Sequence, residues 1–253
     1  MGIDDVSDTK RPYARFLINF RLIGLKMAYY DNVNYTLLEL IDPEAKNICE
    51  FGCGAGAMAR AIKEKLPALH YVGVELMVEE LAKASQVLDI ALHRNLDQLT
   101  DWTSDQELAN ALPFDSFDHV IFGDVLEHLY DPAKALREAA LRLKPGGSAL
   151  VCIPNVQHWT VFRNLVLGTW PRDEMGLFDK THIRWFALND MVTLLQGAGL
   201  AVESIIGRGG DDENGLSVME DLEPLARNLG VDPDELIRRG QVLQFVLVGR
   251  KPA

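Results

Sequence analysis

Two acidic residues and three glycines form the most informative group in this sequence. Glu50 follows an apolar run and precedes Gly52, Gly54 and Gly56, and Glu75 ends the next apolar run. Glycine at every second position lets the backbone turn tightly and approach a ligand without interference from a Cβ atom. The helix predicted after the loop would direct its first N–H groups at that ligand. The acids and the loop therefore predict a nucleoside site at the ends of two strands.

The spacing of the glycines in the loop indicates which class of nucleoside ligand it suits. Gly-Cys-Gly-Ala-Gly at 52–56 differs from the G-x-G-x-x-G of dinucleotide folds and from the GxxxxGK[ST] of phosphate-binding loops. The loop also contains no lysine that could meet phosphates. A nucleoside that carries a charged amino acid group instead of a pyrophosphate suits this loop better.

The segment Glu50-x-Gly-x-Gly-x-Gly resembles the first motif of the class I S-adenosylmethionine-dependent methyltransferases of the small-molecule type. Three later segments are similar to motifs of that family and occur in the same order, at 71–75, 117–129 and 143–151. The resemblance covers residues 46–206. It implies S-adenosyl-L-methionine as the cofactor and methyl transfer as the activity.

The resemblance also implies which residues bind the cofactor. Glu50 would hold the glycine loop and the amino group of the methionine part, and Glu75 would accept hydrogen bonds from the two ribose hydroxyls. Either Asn95 or Asp97 would lie near the adenine amino group. The complete set implied by the family is Glu50, Gly52, Gly54, Gly56, Glu75, Leu76, Asn95, Leu96, Asp97, Gly123 and Asp124.

The candidate catalytic residues are three histidines and one acid. His128 follows the predicted strand 118–123, and its imidazole could take a proton from the acceptor hydroxyl. His158 and His182 are alternative bases, and Asp124 is a further candidate at the strand end. In the competing interpretation, His128 bonds to Asp131 and only shapes the site.

Glu127, His128 and Asp131 have side chains of the types that bind metal ions. Their spacing does not form a compact ligand set of the kind found in known metal sites. The sequence therefore predicts no metal.

Apolar runs alternate with helical periodicity after residue 45, which predicts an α/β fold with a parallel sheet. The family resemblance makes this a Rossmann-like, seven-stranded, mostly parallel sheet with helices on both faces and an antiparallel last strand. The seven strands are predicted at 47–51, 70–75, 89–94, 118–123, 148–153, 201–206 and 242–248.

The chain divides into an N-terminal helical cover at 1–45, with helical periodicity at 13–41, and a methyltransferase domain at 46–253. Two insertions interrupt the domain. The first, at 154–187, is rich in aromatic residues and is predicted to be a lid over the acceptor, with Asn155 facing the methyl donor. The second, at 207–240, is predicted to be helical.

Composition limits the partners. The formal net charge of −12 and the pI near 4.9 argue against a nucleic-acid substrate. No apolar run is long enough to span a membrane, and the acidic N-terminus is unlike a signal peptide, so we expect a cytoplasmic protein with no membrane partner. The N-terminal cover and the second insertion offer surfaces for a homodimer.

The family resemblance implies methylation of oxygen, or with less support nitrogen, of a small organic acceptor such as a sugar or natural product. One rival is a protein or RNA methyltransferase. RNA is disfavoured by the charge and because Gly123-Asp124-Val125 stands where base N-methylating enzymes carry their Pro-Pro motif. The other rival is a non-catalytic cofactor-binding protein that regulates a partner.

Overall fold

The structure is a computed structural model, and it describes residues 19–20, 33–209 and 212–253. One mixed sheet forms its centre. Its strands are β1 (Asn19–Phe20), β2 (Asn47–Phe51), β3 (His70–Glu75), β4 (Ile90–His93), β5 (Phe117–Gly123), β6 (Leu143–Pro154), β7 (Ala201–Arg208) and β8 (Gln244–Arg250).

Helices follow most of the strands. They are α1 (Tyr35–Glu39), α2 (Ala57–Lys65), α3 (Val78–Ala84), α4 (Gln106–Ala111), α5 (Pro132–Arg142), α6 (Trp159–Val166), α7 (Leu188–Gly197), α8 (Glu213–Glu220), α9 (Glu223–Asn228) and α10 (Pro233–Gly240). Asp131 begins α5 as predicted, because its carboxylate accepts the Lys134 N–H at 2.9 Å and a proline stands at the first helical position.

The strand order is β1-β7-β8-β6-β5-β2-β3-β4. All neighbouring pairs are parallel except those of β8, which is antiparallel to β6 and β7. This confirms the predicted class, and all seven predicted strands are present. From β2 the chain moves outward through β3 and β4 and then returns to β5 on the other side of β2. The carboxyl ends of β2 and β5 therefore form the point where ligands bind in open α/β sheets.

Helices cover both faces of the sheet, so that successive residues of a central strand enter two different cores. Ile48 of β2 packs in a core with residues of α1, α2 and α3. Its neighbour Cys49 packs in the opposite core with residues of α4, α5 and α7. Both side chains are completely buried, which explains why the sequence of β2 is continuously apolar up to Glu50.

The structure departs from the sequence predictions at three places. Most of the predicted N-terminal cover lies outside the described residues, and the described part contains the strand β1 and the short helix α1. The strand β1 is an eighth strand of two residues, which lies at the edge of the sheet and is parallel to β7. The lid contains a helix, α6, that the sequence did not predict. Within the described part of the chain, no helix is long and apolar enough to cross a membrane.

Candidate functional site

A cavity of about 1170 Å³ opens at the carboxyl ends of β2, β3 and β5. Its lining includes the glycine loop, the residues after β3 and β4, the turn after β5, the lid segment 174–182, and the ends of β7 and β8. The volume exceeds the roughly 300–1,000 Å³ of a pocket for one small ligand. The cavity therefore has room for a cofactor and an acceptor together.

The glycine loop passes along the floor of this cavity in a left-handed conformation. Gly52 and Gly54 have φ angles of 72° and 50°, a region that side chains disfavour. A Cβ atom on Gly52 would lie 2.4 Å from Cγ2 of Val125, in the turn after β5. The glycines therefore allow both the turn itself and the close approach of the loop to β5.

Glu75 holds this loop from the neighbouring strand. Its Oε2 accepts the Gly54 N–H at 2.9 Å, and its Oε1 accepts the N–H groups of Leu76 and Met77, both at 2.8 Å. The residue is 8% exposed. The sequence analysis assigned Glu75 to the ribose hydroxyls and missed these backbone contacts, which fix the direction of the carboxylate toward the cavity.

Glu50 is bound by a residue that the sequence analysis missed. Its Oε2 accepts a hydrogen bond from the hydroxyl of Tyr71 at 2.8 Å, across the β2–β3 pair. Burial raises the pKa of Glu50 to about 7. A carboxyl with this pKa favours a cationic ligand, because the positive charge would stabilise the ionised form.

Gly56 differs from the other two glycines of the loop in its surroundings. It does not line the cavity. A Cβ atom there would lie 2.9 Å from Cγ2 of Val87 and 3.1 Å from Cα of Ala84. Gly56 therefore permits close packing between the start of α2 and the end of α3, which positions the loop from below.

The remaining cofactor candidates all line the cavity. Leu76 is 53% exposed, and such an apolar surface at the cavity rim can pack against a purine. Asn95 accepts the Asp97 N–H at 3.0 Å, and Asp97 accepts the Tyr130 N–H at 2.8 Å. Because both side chains line the cavity and both are hydrogen-bonded, the geometry keeps both as candidates, together with Leu96 and Gly123.

Asp124, in the turn after β5, is connected by hydrogen bonds to side chains of β8 and β7. Its φ of 57° is left-handed, a strained conformation that clusters at functional sites. Its carboxylate accepts a hydrogen bond from the side-chain amide of Gln244, and Gln244 accepts one from Arg208 at 2.7 Å. Desolvation raises the pKa of Asp124 to about 6, and the positive charge of Arg208 opposes this shift. Arg208 and Gln244 are further residues that the sequence analysis missed.

A second group of cavity-lining residues, from the turn after β5 and from the lid, consists of Glu127, His128 and His182. Glu127 is 1% exposed, and neither of its carboxylate oxygens has a hydrogen-bond partner among the described residues. Its Oε1 lies 3.9 Å from Nε2 of His182. Burial and the nearby charge of Asp124 raise the pKa of Glu127 well above its usual range. Burial lowers the pKa of both histidines.

Backbone contacts join this cluster to the lid. The Glu127 carbonyl accepts the N–H groups of Ile183 and Arg184, both at 3.0 Å. The rings of His128 and His182 meet edge to face, with centroids 4.8 Å apart. Two segments that are distant in the sequence thus form one side of the cavity, and His128 and His182, proposed separately from the sequence, belong to one site.

Three other predictions need correction. His158 does not line the cavity; its Nδ1 contacts the Thr160 hydroxyl at 2.8 Å, and burial lowers its pKa to about 4. Asn155, predicted to face the methyl donor, does not line the cavity; it is completely buried and donates to the carbonyls of Arg239 and Val242. Asp131 accepts the Lys134 N–H as a helix cap and not a hydrogen bond from His128.

The residues present suit S-adenosylmethionine. Gly52 and Gly54 leave backbone without side chains at the cavity floor, and Glu50 provides a carboxylate for a cationic group. Glu75 directs a fixed carboxylate into the same space, where a vicinal diol could donate to it. Leu76 provides an apolar surface for a base. Each part of the cofactor therefore has a chemically matched group at this end of the cavity.

Comparisons with known proteins agree with this assignment. A family described as "Methyltransferase domain" matches residues 23–205. The chain is 26% identical over 166 residues, 64% of its length, to the ubiquinone biosynthesis O-methyltransferase of Aeromonas salmonicida. It is 28% identical over 176 residues, 67% of its length, to the protein of the same name from Stutzerimonas stutzeri, 70% of which is covered. The chain spans 66% of the Aeromonas protein and 51 to 58% of two other curated relatives.

A solved structure shows the same fold. The S-adenosylmethionine-dependent methyltransferase from Mesorhizobium loti superimposes with a TM-score of 0.55 at 20% identity. The superposition covers 86% of this chain and 96% of that one. The similarity therefore includes nearly the whole of that protein.

Proposed function

Because the chain belongs to the methyltransferase-domain family and is an S-adenosylmethionine-dependent methyltransferase, we propose that it methylates a hydroxyl oxygen of a small organic acceptor. The observation that carries this proposal is that two chemically different groups of residues line one cavity. We call Glu50, Gly52, Gly54 and Glu75 the cofactor half, and the polar side chains of the lid and of the turn after β5 the acceptor half.

The cofactor half would bind and align. When bound, S-adenosylmethionine supplies an electrophilic methyl group on a sulfonium centre. Glu50 would hold the amino group of the methionine part and Glu75 the ribose hydroxyls, each by charge-assisted hydrogen bonds. Since methyl transfer is an in-line displacement, alignment of the two reactants supplies much of the rate. The glycine loop and its hydrogen bond to Glu75 make this alignment rigid.

The acceptor half would orient the attacking hydroxyl and receive its proton. His128, His182 and Asp124 line the cavity and are the proposed acceptor-side residues. The lowered pKa of both imidazoles keeps them neutral near pH 7, so that their free ring nitrogens can interact with a hydroxyl. His158 is left out, because it does not face this space.

Several observations support a small acceptor. Residues of the predicted lid line the cavity, and a lid closed over the acceptor would suit a small molecule or a short end of a larger one. The two relatives described above are named for O-methylation in ubiquinone biosynthesis. The mixture of imidazoles, acids and apolar side chains around the acceptor half suits a neutral or mildly polar ring, such as a phenol or a saccharide.

A transfer assay tests this function. The full chain is incubated with S-adenosylmethionine labelled in the methyl group and with panels of phenols, saccharides, amines, a protein extract and RNA. We expect label in a hydroxyl-bearing small molecule. Label in amines, protein or RNA alone would contradict the proposed acceptor class. Tight cofactor binding without transfer to any acceptor would instead support the regulatory protein considered from the sequence.

A further inference from the structure

We propose that Glu127, His128 and His182 form a binding site for one divalent transition-metal ion in the acceptor half of the cavity. A carboxylate oxygen of Glu127 and one ring nitrogen from each histidine lie within 4.8 Å of one another. The sequence predicted no metal, because Glu127, His128 and Asp131 do not have the spacing of a known metal site. The structure places all three residues on one wall.

The state of Glu127 is the first argument for an ion. Its side chain is 1% exposed, and both of its oxygens lack a hydrogen-bond partner among the described residues. A buried carboxyl without a partner is costly to maintain, and such groups are normally paired or bind metals. The carboxyl lines the cavity beside Nε2 of His182, at 3.9 Å. A cation between them would satisfy the carboxylate.

The hydrogen bonds of the histidines are the second argument. Nδ1 of His182 contacts the Leu177 carbonyl at 3.1 Å, and because a carbonyl only accepts, Nδ1 carries the proton. The lone pair then lies on Nε2, which faces Glu127. Imidazoles that bind metals usually donate their other ring N–H to a carbonyl or a carboxylate in this way.

His128 is oriented in the same manner through Thr181. Its Nδ1 lies 3.3 Å from the Thr181 carbonyl and 3.1 Å from the Thr181 hydroxyl. That hydroxyl donates its own proton to Asp179 at 2.6 Å, so it can only accept from His128. Nδ1 of His128 is therefore the donor, and Nε2 keeps its lone pair. Asp179 acts on His128 through Thr181 as a positioning residue.

The ligand types indicate the class of ion. Two imidazoles and one carboxylate suit Zn²⁺, Fe²⁺, Co²⁺ or Mn²⁺ better than Mg²⁺ or Ca²⁺, which prefer oxygen ligands. Metal–ligand distances of roughly 2.0–2.2 Å place the ligand atoms about 3–3.5 Å apart. The present separations, at most 4.8 Å, exceed this by up to about 1.5 Å, so that the side chains would have to move toward the ion.

An ion held by three side chains retains open coordination positions. An acceptor oxygen could occupy one of them, and the metal would then lower the pKa of the bound hydroxyl and orient it. With the ion present, both imidazoles would act as ligands, and the hydroxyl proton would pass to Asp124, the other proposed acceptor-side residue. This role rests on the proposed function, whereas the binding of the ion does not. Because the Glu127 carbonyl is bonded to Ile183 and Arg184, the ion would also hold the lid against the turn after β5.

The test uses the untagged full chain after treatment with a chelator, without cofactor or acceptor. Titration with CoCl₂, followed by visible absorption, and with ZnCl₂, followed by calorimetry, should each show one saturable equivalent. His182→Ala and Glu127→Gln should each weaken the affinity at least about tenfold. The matched control is His70→Ala, which removes a partly exposed imidazole at the opposite end of β3 and should leave the affinity unchanged.

Two results would overturn the site: no saturable binding of either ion, or equal affinity in the wild-type chain and in His182→Ala. Circular dichroism verifies that each variant is folded, and if Glu127→Gln does not fold, His182→Ala and His128→Ala decide. Since the titration contains no cofactor or acceptor, its failure is distinct from that of the proposed function. Metal binding with no transfer to any hydroxyl would overturn only the proposed function.

Discussion

The two halves of the cavity are built in different ways. In the cofactor half, Glu50 and Glu75 end adjacent parallel strands, and their partners are the Tyr71 hydroxyl and the backbone of the loops beside them. In the acceptor half, Glu127 and His182 come from segments far apart in the sequence, and the contact between their side chains is a loose 3.9 Å. The first half is therefore preorganised for its ligand, whereas in the second half the proposed ion would bring Glu127 and His182 together.

One large effect expected from this difference is in the glycine loop. Gly54→Val should weaken S-adenosylmethionine binding at least about 100-fold, because a β-branched side chain strains a left-handed position by about 1–3 kcal/mol and also fills the cofactor space. Calorimetry with the cofactor measures the loss.

Gly146→Val is the matched control for this loop variant. Gly146, near the start of β6, also has a left-handed φ, of 78°. No atom lies within 4 Å of a Cβ atom added there. Its substitution should leave the cofactor affinity unchanged. Near-normal binding in a folded Gly54→Val protein would remove the loop from the cofactor site.

The next effect is in the acceptor half, where His128→Ala should lower kcat by about 10²–10⁴. Cofactor affinity should stay within a few-fold, since His128 is not among the residues proposed to hold the cofactor. Steady-state kinetics with the identified acceptor and calorimetry with the cofactor measure the two quantities separately. A parallel loss of cofactor affinity would show that the two halves are not independent.

His158→Ala sharpens the same comparison. The sequence alone does not distinguish this residue from His128 as a base, whereas the structure buries it against Thr160, outside the cavity. We expect nearly wild-type kcat. If His158→Ala lost as much activity as His128→Ala, the acceptor would have to lie elsewhere than in the cavity described here.

A smaller effect is expected at Glu75. Glu75→Ala removes the acceptor of three backbone N–H groups as well as the proposed ribose contact. Cofactor binding should weaken by about 1–3 kcal/mol. Glu75→Gln keeps one acceptor oxygen and should lose less affinity, as measured by calorimetry. Equal losses in the two variants would mean that the loop contacts contribute nothing to binding.

The same contrast explains what the sequence could predict. Strand ends, glycine spacing and acid positions are local signals, so the seven strands follow from them. The same signals indicate the predicted cofactor residues from Glu50 to Asp124, all of which line the cavity except Gly56. The partners of these residues were not predictable. Tyr71 reads as one more apolar strand residue, and only the register of β2 against β3 brings its hydroxyl to Glu50.

The sequence indicates which residues belong to the acceptor half, but it does not indicate how they are arranged. His128 and His182 were both candidates, yet nothing in their spacing indicates that the Glu127 carbonyl binds the lid at Ile183 and Arg184. Gln244 and Arg208 reach Asp124 from the last two strands, and such pairing across a sheet leaves no periodic pattern in the sequence. Long-range contacts between irregular segments are decided by tertiary packing.

The smallest expected effect concerns pH and tests whether Glu50 meets a cation. Burial raises the pKa of Glu50 from an ordinary 4.5 to about 7, so the unliganded protein holds a proton there below neutral pH. Binding of the positively charged amino group requires the ionised carboxylate, and the proton must then leave. Cofactor affinity should therefore fall as the pH drops below about 7, by at most tenfold per pH unit.

The same pKa shift has a consequence for folding that must be separated from binding. Because the folded pKa is raised, ionisation of Glu50 costs stability, and the unliganded protein should become less stable as the pH rises from about 4.5 to about 7.

Calorimetry from about pH 5.5 to about pH 8, in buffers of different ionisation enthalpy, counts the protons released on cofactor binding. Glu50→Gln should bind more weakly and release no proton. If this variant kept the wild-type slope, another group would be the one that titrates, and Glu50 would not contact the amino group.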